Sequence, residues 1–149
     1  MQFILNYFKF VLAFTGCDYY IDLANKQTER NGTMGNQVKK LLVETRDFIS
    51  DKQRWTQNAT AKKIASDGYP QATQATDPDA CQWCASGAVE KVFEGWGSPY
   101  WGIKKCAISA LDMASGLEHN QSIIGLNDYY HTTHEQVLAA FDKAIERVS

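Results

Sequence analysis

The stretch Asp77–Val92, DPDACQWCASGAVEKV, constrains the fold most. Asp77 has the carboxylate of a helix N-cap, able to accept from the orphan amides of a first turn. Pro78 suits the first helical position, where a missing N–H costs nothing. Asp79 adds negative charge at the positive end of a helix dipole. A helix begun there places Ala80, Cys84, Gly87, Ala88 and Lys91 on one stripe, with Trp83 beside it. Most of these residues are small, so another backbone can approach closely. Gly87 costs about 1 kcal/mol in a helix interior relative to Ala, and close packing is the compensation expected. Gly95 and Gly97 mark the stop. The expectation is a buried central helix on which the rest of the chain packs.

The flanking segments follow helical periodicity. Val38, Leu41, Leu42, Thr45, Phe48 and Ile49 recur at i, i+3, i+4, i+7 after Asn36, a good cap. Arg54-Trp55-Thr56-Gln57 is a turn leading into Ala59–Ser66. Asp67-Gly68-Tyr69-Pro70 is a turn by composition, and Gln71–Thr76 a polar connector. Ser98-Pro99 repeats the cap-then-proline signal before a helix at Tyr100–Leu117, with Ile103, Ala107, Ala110, Leu111 and Ala114 as its buried side. Ile123, Ile124 and Leu126 form a short apolar plug, and Asn127-Asp128-Tyr129-Tyr130 a loop. Thr132 and Glu135 match a capping box for a last helix with Val137, Leu138, Phe141, Ala144, Ile145 and Val148 on its apolar face. No segment shows sustained strand alternation. The fold class expected is mainly all-α, a small bundle of about four helices with short extra ones.

Two parts are expected: residues 1–35 as an apolar segment and linker, and 36–149 as the helical domain. Met1–Thr15 is strongly apolar but shorter than the ~20 residues that span a bilayer, and Lys9 interrupts it. It lacks the basic start of a signal peptide, and Cys17 after Gly16 makes only a partial lipoprotein site. The alternatives are an extra packed or interfacial helix, an exported or anchored protein, or a native start at Met34. A cytoplasmic protein with no membrane span is expected. A net charge of −2 and a pI near 5.9 give no field for nucleic acid, so no nucleic-acid partner is expected.

Arg54-Trp55-Thr56-Gln57, Pro78, Ala80, Trp83-Cys84, Gly87-Ala88, Asn127-Asp128, Thr133, Glu135, Val137 and Asp142-Ala144-Ile145 occur in that order. Over Val38–Val148 the chain resembles a bacterial and phage domain of unknown function. Members of that family carry a helix, a W-T-Q turn and a P-x-A-x-x-W-C-x-x-G-A helix. An N-D loop and a T-x-x-E-V helix ending in D-x-A-I follow. Lys52-Gln53-Arg54 stands where a glycine would precede the tryptophan. The resemblance implies a helical fold and shared positions, and no reaction.

The residues leave several chemistries open. Cys81 and Cys84 have C-x-x-C spacing, which suits a redox pair, or a zinc site if His131 and His134 complete four ligands. The plainer reading is two small packed thiols and no cofactor. Asp128 with His131 or His134 could form an acid–base pair; Asn127 and Asp128 also suit a capped turn. Trp55 and Thr56 either anchor the core or line a small ligand pocket with Trp83, Asn127, Asp128 and His131. Trp96, Tyr100 and Trp101 would mark a partner surface if exposed. Two classes follow: a binding or interaction module for a protein or small ligand, as a monomer or an oligomer, and a small enzyme or metal protein built on Asp128, His131, His134 and the cysteines.

Overall fold

The computed structural model describes residues 34–97, 101–116 and 122–148. The expectations for the apolar segment 1–33, for the Ser98-Pro99 signal and for Tyr100 lie outside these residues. Among the described residues the fold is mainly α, with five helices and a small sheet: α1 (Met34–Phe48), β1 (Ala61–Ile64), β2 (Pro70–Thr73), β3 (Gln82–Trp83), α2 (Ala85–Gly95), α3 (Trp101–Ser115), α4 (Ile123–Asp128) and α5 (His134–Arg147). A 3-10 turn at Lys52–Arg54 connects α1 to the sheet.

The expected periodicity builds the core. Val38, Leu41 and Leu42 of α1, Ile103, Ala107 and Leu111 of α3, and Val137, Phe141 and Ala144 of α5 are all buried together. α1 packs on α2, α3 and α5, and α4 bridges α2, α3 and α5. Alanines at the helix contacts keep the axes close, while Phe141 and the leucines fill the space between.

The central element differs from expectation. Asp77 does not cap a helix. Its carboxylate accepts from the Asp79 amide (2.9 Å), from Lys63 Nζ (3.0 Å) and from the Thr73 hydroxyl. An aspartate that can cap a helix can equally cap a turn. Here the tertiary partners Lys63 and Thr73 decide. The chain then runs extended, and β3 pairs antiparallel with β1 through Ala61↔Trp83 and Lys62↔Gln82. The helix starts only at Ala85, with Cys84 as its cap: Cys84 Sγ accepts from the Gly87 amide at 3.3 Å.

The sheet, in the order β2-β1-β3, was not expected from the sequence. Its strands are short, and β2 has no buried residue, so no alternation of apolar and polar residues can arise. The Asp67–Pro70 turn does form, with Gly68 at φ 84° and Ala65 donating to the Tyr69 carbonyl (2.9 Å). Two boundaries also move. α1 begins at Met34 rather than after Asn36. The last capping box uses Thr133 and Gln136, one residue beyond Thr132 and Glu135, with Thr133 N–H donating to Gln136 Oε1 at 2.8 Å.

The close approach expected at Gly87 is present, but its partner is the chain entering β1. The Thr60 carbonyl accepts from the Cys84 amide (3.1 Å) and lies against Gly87, where a Cβ would collide with it. Gly95, at the other end of α2, has open space around its Cα. Gly87→Ala should therefore destabilise by about 1–3 kcal/mol although alanine is the better helix former. Gly95→Ala should be neutral or mildly stabilising. Paired thermal melts check this; equal shifts in both variants would overturn it.

The hydrogen bonds from Thr73 and the Asp79 amide, together with Lys63, lower the Asp77 pKa from 3.8 to about 2. A carboxyl with a depressed folded pKa contributes stability that is complete above its unfolded value and vanishes as pH falls through the folded one. Asp77→Asn should be less stable than the parent at neutral pH, and the gap should close as pH falls from 3.8 towards 2. Urea midpoints across that range test it; a gap that stays constant would count against the assignment.

Candidate functional site

Trp55, Thr56, Trp83 and Asn127-Asp128 meet where the turn after α1, the start of α2 and the end of α4 come together. The turn is pinned by backbone pairing: the Thr56 amide donates to the Trp83 carbonyl at 3.0 Å, and Trp55 bridges Trp83 in parallel. Trp83 is buried, its ring edge-on to Phe48 at 4.9 Å and its indole N–H donating to the Ala75 carbonyl at 2.9 Å. It is a core residue. Trp55 is half-buried and lies 5.5 Å from the His134 ring.

Asn127 is the junction. Its side chain is fully buried. Oδ1 accepts from the Trp55 indole N–H (2.8 Å) and from the Ala85 amide (3.1 Å). Nδ2 donates to the Thr56 carbonyl (3.1 Å) and to Asp128 Oδ1 (2.8 Å). A carboxamide has two acceptor and two donor positions, and all four are taken. Asn127 and Asp128 close the last turn of α4 rather than forming a loop. The polar residues after an apolar plug suit a loop locally; buried partners from two distant segments hold them in the helix instead.

Asp128 and Gln57 extend the network. Asp128 Oδ1 also accepts from the Asn58 amide at 2.9 Å, and Asn58 has φ 61°. That left-handed conformation is one an asparagine tolerates better than most residues. Gln57 Nε2 donates to the carbonyls of Asn127 (2.6 Å) and Tyr129 (3.1 Å), and the Thr132 carbonyl lies at 3.5 Å. Gln57 thus holds the backbone of the 129–132 segment. The W-T-Q motif contains it, but nothing in its local sequence indicates this long-range role.

The histidines separate. His134 is buried, its Nε2 donating to the Ile49 carbonyl at 2.7 Å, which fixes the ring between α1 and α5. His131 is exposed and lies against Tyr130, ring centroids 3.8 Å apart. Among the described residues no hydrogen bond joins Asp128 to either histidine.

The cysteines separate as well. Cys81 is exposed and precedes β3, whereas Cys84 is buried behind it. Across the extended residues between them the two Cα atoms are about 10 Å apart at 3.3 Å per residue, beyond the reach of a disulfide without backbone movement. Among the described residues no three His, Cys, Asp or Glu side chains gather as a metal site, so Cys81, Cys84, His131 and His134 do not come together as a ligand set. Trp96 is half-buried, its indole N–H donating to Glu44 at 2.6 Å; Trp101 is exposed, with Lys105 Nζ 4.6 Å from its ring.

Of the surface above this network, the sequence singled out His131 but not the two tyrosines beside it. Tyr129, Tyr130 and His131 form a ring cluster there, with Tyr129 and Tyr130 4.9 Å apart and Tyr130 77% exposed. A tyrosine pair followed by a histidine is the one local signal that could have drawn attention to it.

Asn127→Ala should lower stability by about 2–4 kcal/mol, because the Trp55 indole and the Ala85 amide lose a shared buried acceptor. Trp55→Phe, which keeps an aromatic ring and removes one donor, should cost less. Denaturant titration of both variants is the check; an unchanged midpoint for Asn127→Ala would mean the network is not the junction described.

A family model described as a family of unknown function (DUF6197) matches residues 34–147. No curated protein and no solved structure matches the chain.

Proposed function

This chain belongs to DUF6197, a family of unknown function, and we propose that it is a non-catalytic binding module that presents the Tyr129-Tyr130-His131 loop to a protein partner. The observation that carries this reading is Tyr130, 77% exposed on a loop whose Tyr129 carbonyl accepts from Gln57. An exposed aromatic contributes little to folding and much to binding, where large rings with few rotatable bonds make efficient contacts. A fixed backbone lowers the entropy lost on association.

The polar chemistry supports the same reading. Asn127 has no hydrogen-bonding capacity left for a substrate, and Asp128 spends Oδ1 on Asn58 and Asn127. General acid–base work needs a proton-transfer group within reach of a substrate, and His134 is instead engaged with the Ile49 carbonyl. Trp55, Thr56 and Trp83 serve to hold the loop rather than to contact a ligand. His131, with Tyr129 and Tyr130, supplies the contact surface.

Among the described residues no helix is long and apolar enough to cross a membrane. We place the module in the cytoplasm, as an accessory protein of a bacterium or phage in keeping with its motifs.

The test is cross-linking in the native host followed by mass spectrometry, with the parent and Tyr130→Ala/His131→Ala compared. The double variant should keep its melting temperature and lose at least about tenfold of the cross-linked partner, the loss expected from removing one strong contact. A variant that retains its partners in full sinks the proposal, as does a parent with no specific cross-link. Sedimentation equilibrium of the same pair identifies the partner as a second copy if only the parent associates.

A further inference from the structure

Among the described residues one non-glycine position has a positive φ: Asn58, at 61°. The other left-handed positions, Gly68, Gly97 and Gly116, are glycines, which reach that region without steric cost. Asn58 is held there by its amide, which donates to Asp128 Oδ1 at 2.9 Å, the same oxygen that accepts from Asn127 Nδ2. A glycine would make that backbone bond equally well. The fold therefore uses the amide of residue 58 and not its side chain.

The side chain is exposed, and among the described residues its carboxamide makes no hydrogen bond. The position of the residue is fixed by its surroundings. Gln57 Nε2 donates to the Tyr129 carbonyl at 3.1 Å, and the Asn58 amide reaches Asp128. Residue 58 thus borders the loop that carries Tyr129, Tyr130 and His131, on a backbone tied to the buried junction. Strained positions of this kind cluster at binding sites, where the side chain is kept for contact rather than for folding.

We propose that Asn58 is the specificity-determining polar contact of this surface, and that its carboxamide grips the main chain of an extended segment of the protein partner. The inference rests on the reading of the aromatic loop as a binding surface. A carboxamide presents a donor and an acceptor side by side. In an extended chain the N–H and C=O of one residue point to the same side, as they do in a ladder, and so match that pair. In a helix the same groups are spent on internal bonds, so a helical partner offers the carboxamide no such pair. The rings of Tyr130 and His131, 3.8 Å apart, supply the apolar part of the contact. Because the backbone at residue 58 is already fixed, the contact costs only the freedom of one short side chain.

The test uses the full chain in its native host with a lysine-reactive cross-linker, whose targets none of the variants alters. The parent, Asn58→Gly and Asn58→Asp are compared at equal expression with Tyr130→Ala/His131→Ala. Glycine removes the carboxamide and keeps the conformation; aspartate keeps the shape and the acceptor and removes the donor. Asn58→Gly should melt within about 3 °C of the parent, as surface substitutions do. Both variants should recover about three- to tenfold less of the partner, the loss expected from one or two hydrogen bonds. A glycine variant that keeps the partner in full overturns the inference, while loss in Tyr130→Ala/His131→Ala leaves the binding surface standing. A glycine variant that loses partner and melting temperature together makes Asn58 a structural residue, and overturns it as well. Aspartate that binds as well as asparagine overturns the two-point grip on a main chain. A parent without a specific cross-link overturns both readings.

Discussion

Two bonds accepted and two donated by one buried primary amide hold three separate segments in place. Asn127 takes the indole N–H of Trp55 and the first amide of α2, and donates to the Thr56 carbonyl and to its own neighbour Asp128. Neither an isosteric carboxylate nor an apolar side chain could do this. Aspartate would turn two donors into acceptors facing a carbonyl and a carboxylate. Leucine would leave the indole and an N-terminal helix amide buried without partners. The turn after α1, the start of α2 and the loop after α4 therefore share one fixed point. The aromatic loop above it inherits that rigidity through Gln57.

The helices were legible because their periodicity is long. α1, α3 and α5 each show two or more turns of apolar residues on one face, and these faces form the core. What failed was local chemistry with more than one outcome. Asp77-Pro78 reads as a helix start, yet Lys63 and Thr73 capture the carboxylate for a turn. Cys81 and Cys84 read as one turn of helix, yet the pairing of Gln82 and Trp83 with β1 stretches the chain between them. The cap of α2 falls to a cysteine, whose sulfur is a weak acceptor and carries little signal as a cap. The two-residue strand β3 is too short for any periodicity to reveal it.

For the site, sequence order was informative and role was not. The W-T-Q turn, the W-C pair and the N-D pair do come together, as a set of shared positions would suggest. Their polar atoms bond to one another, so the residues with the most conspicuous chemistry are the ones least available to a ligand. Gln57 is the instructive case. Its three carbonyl neighbours come from Asn127, Tyr129 and Thr132, some 70 to 75 residues away, and no window along the chain contains both sides of that contact. His134 likewise looks reactive beside Asp128 in sequence, and is turned to Ile49 by the face of α5 that buries it.

The position of Asn127 in the chain also bears on how the protein is made. Its partners Trp55, Thr56 and Ala85 precede it by 72, 71 and 42 residues. At elongation rates of about 5–20 residues per second, roughly 2–8 s pass between synthesis of Ala85 and of the amide that completes its bonding. Throughout that interval the Ala85 amide and the Trp55 indole lack the acceptor that Asn127 supplies. The nascent chain holds its early helices by apolar contacts and the Trp96–Glu44 hydrogen bond, without the buried amide that ties the turn after α1 to the start of α2. Translation speed across residues 86–127 thus sets how long the half-made domain stands without its junction.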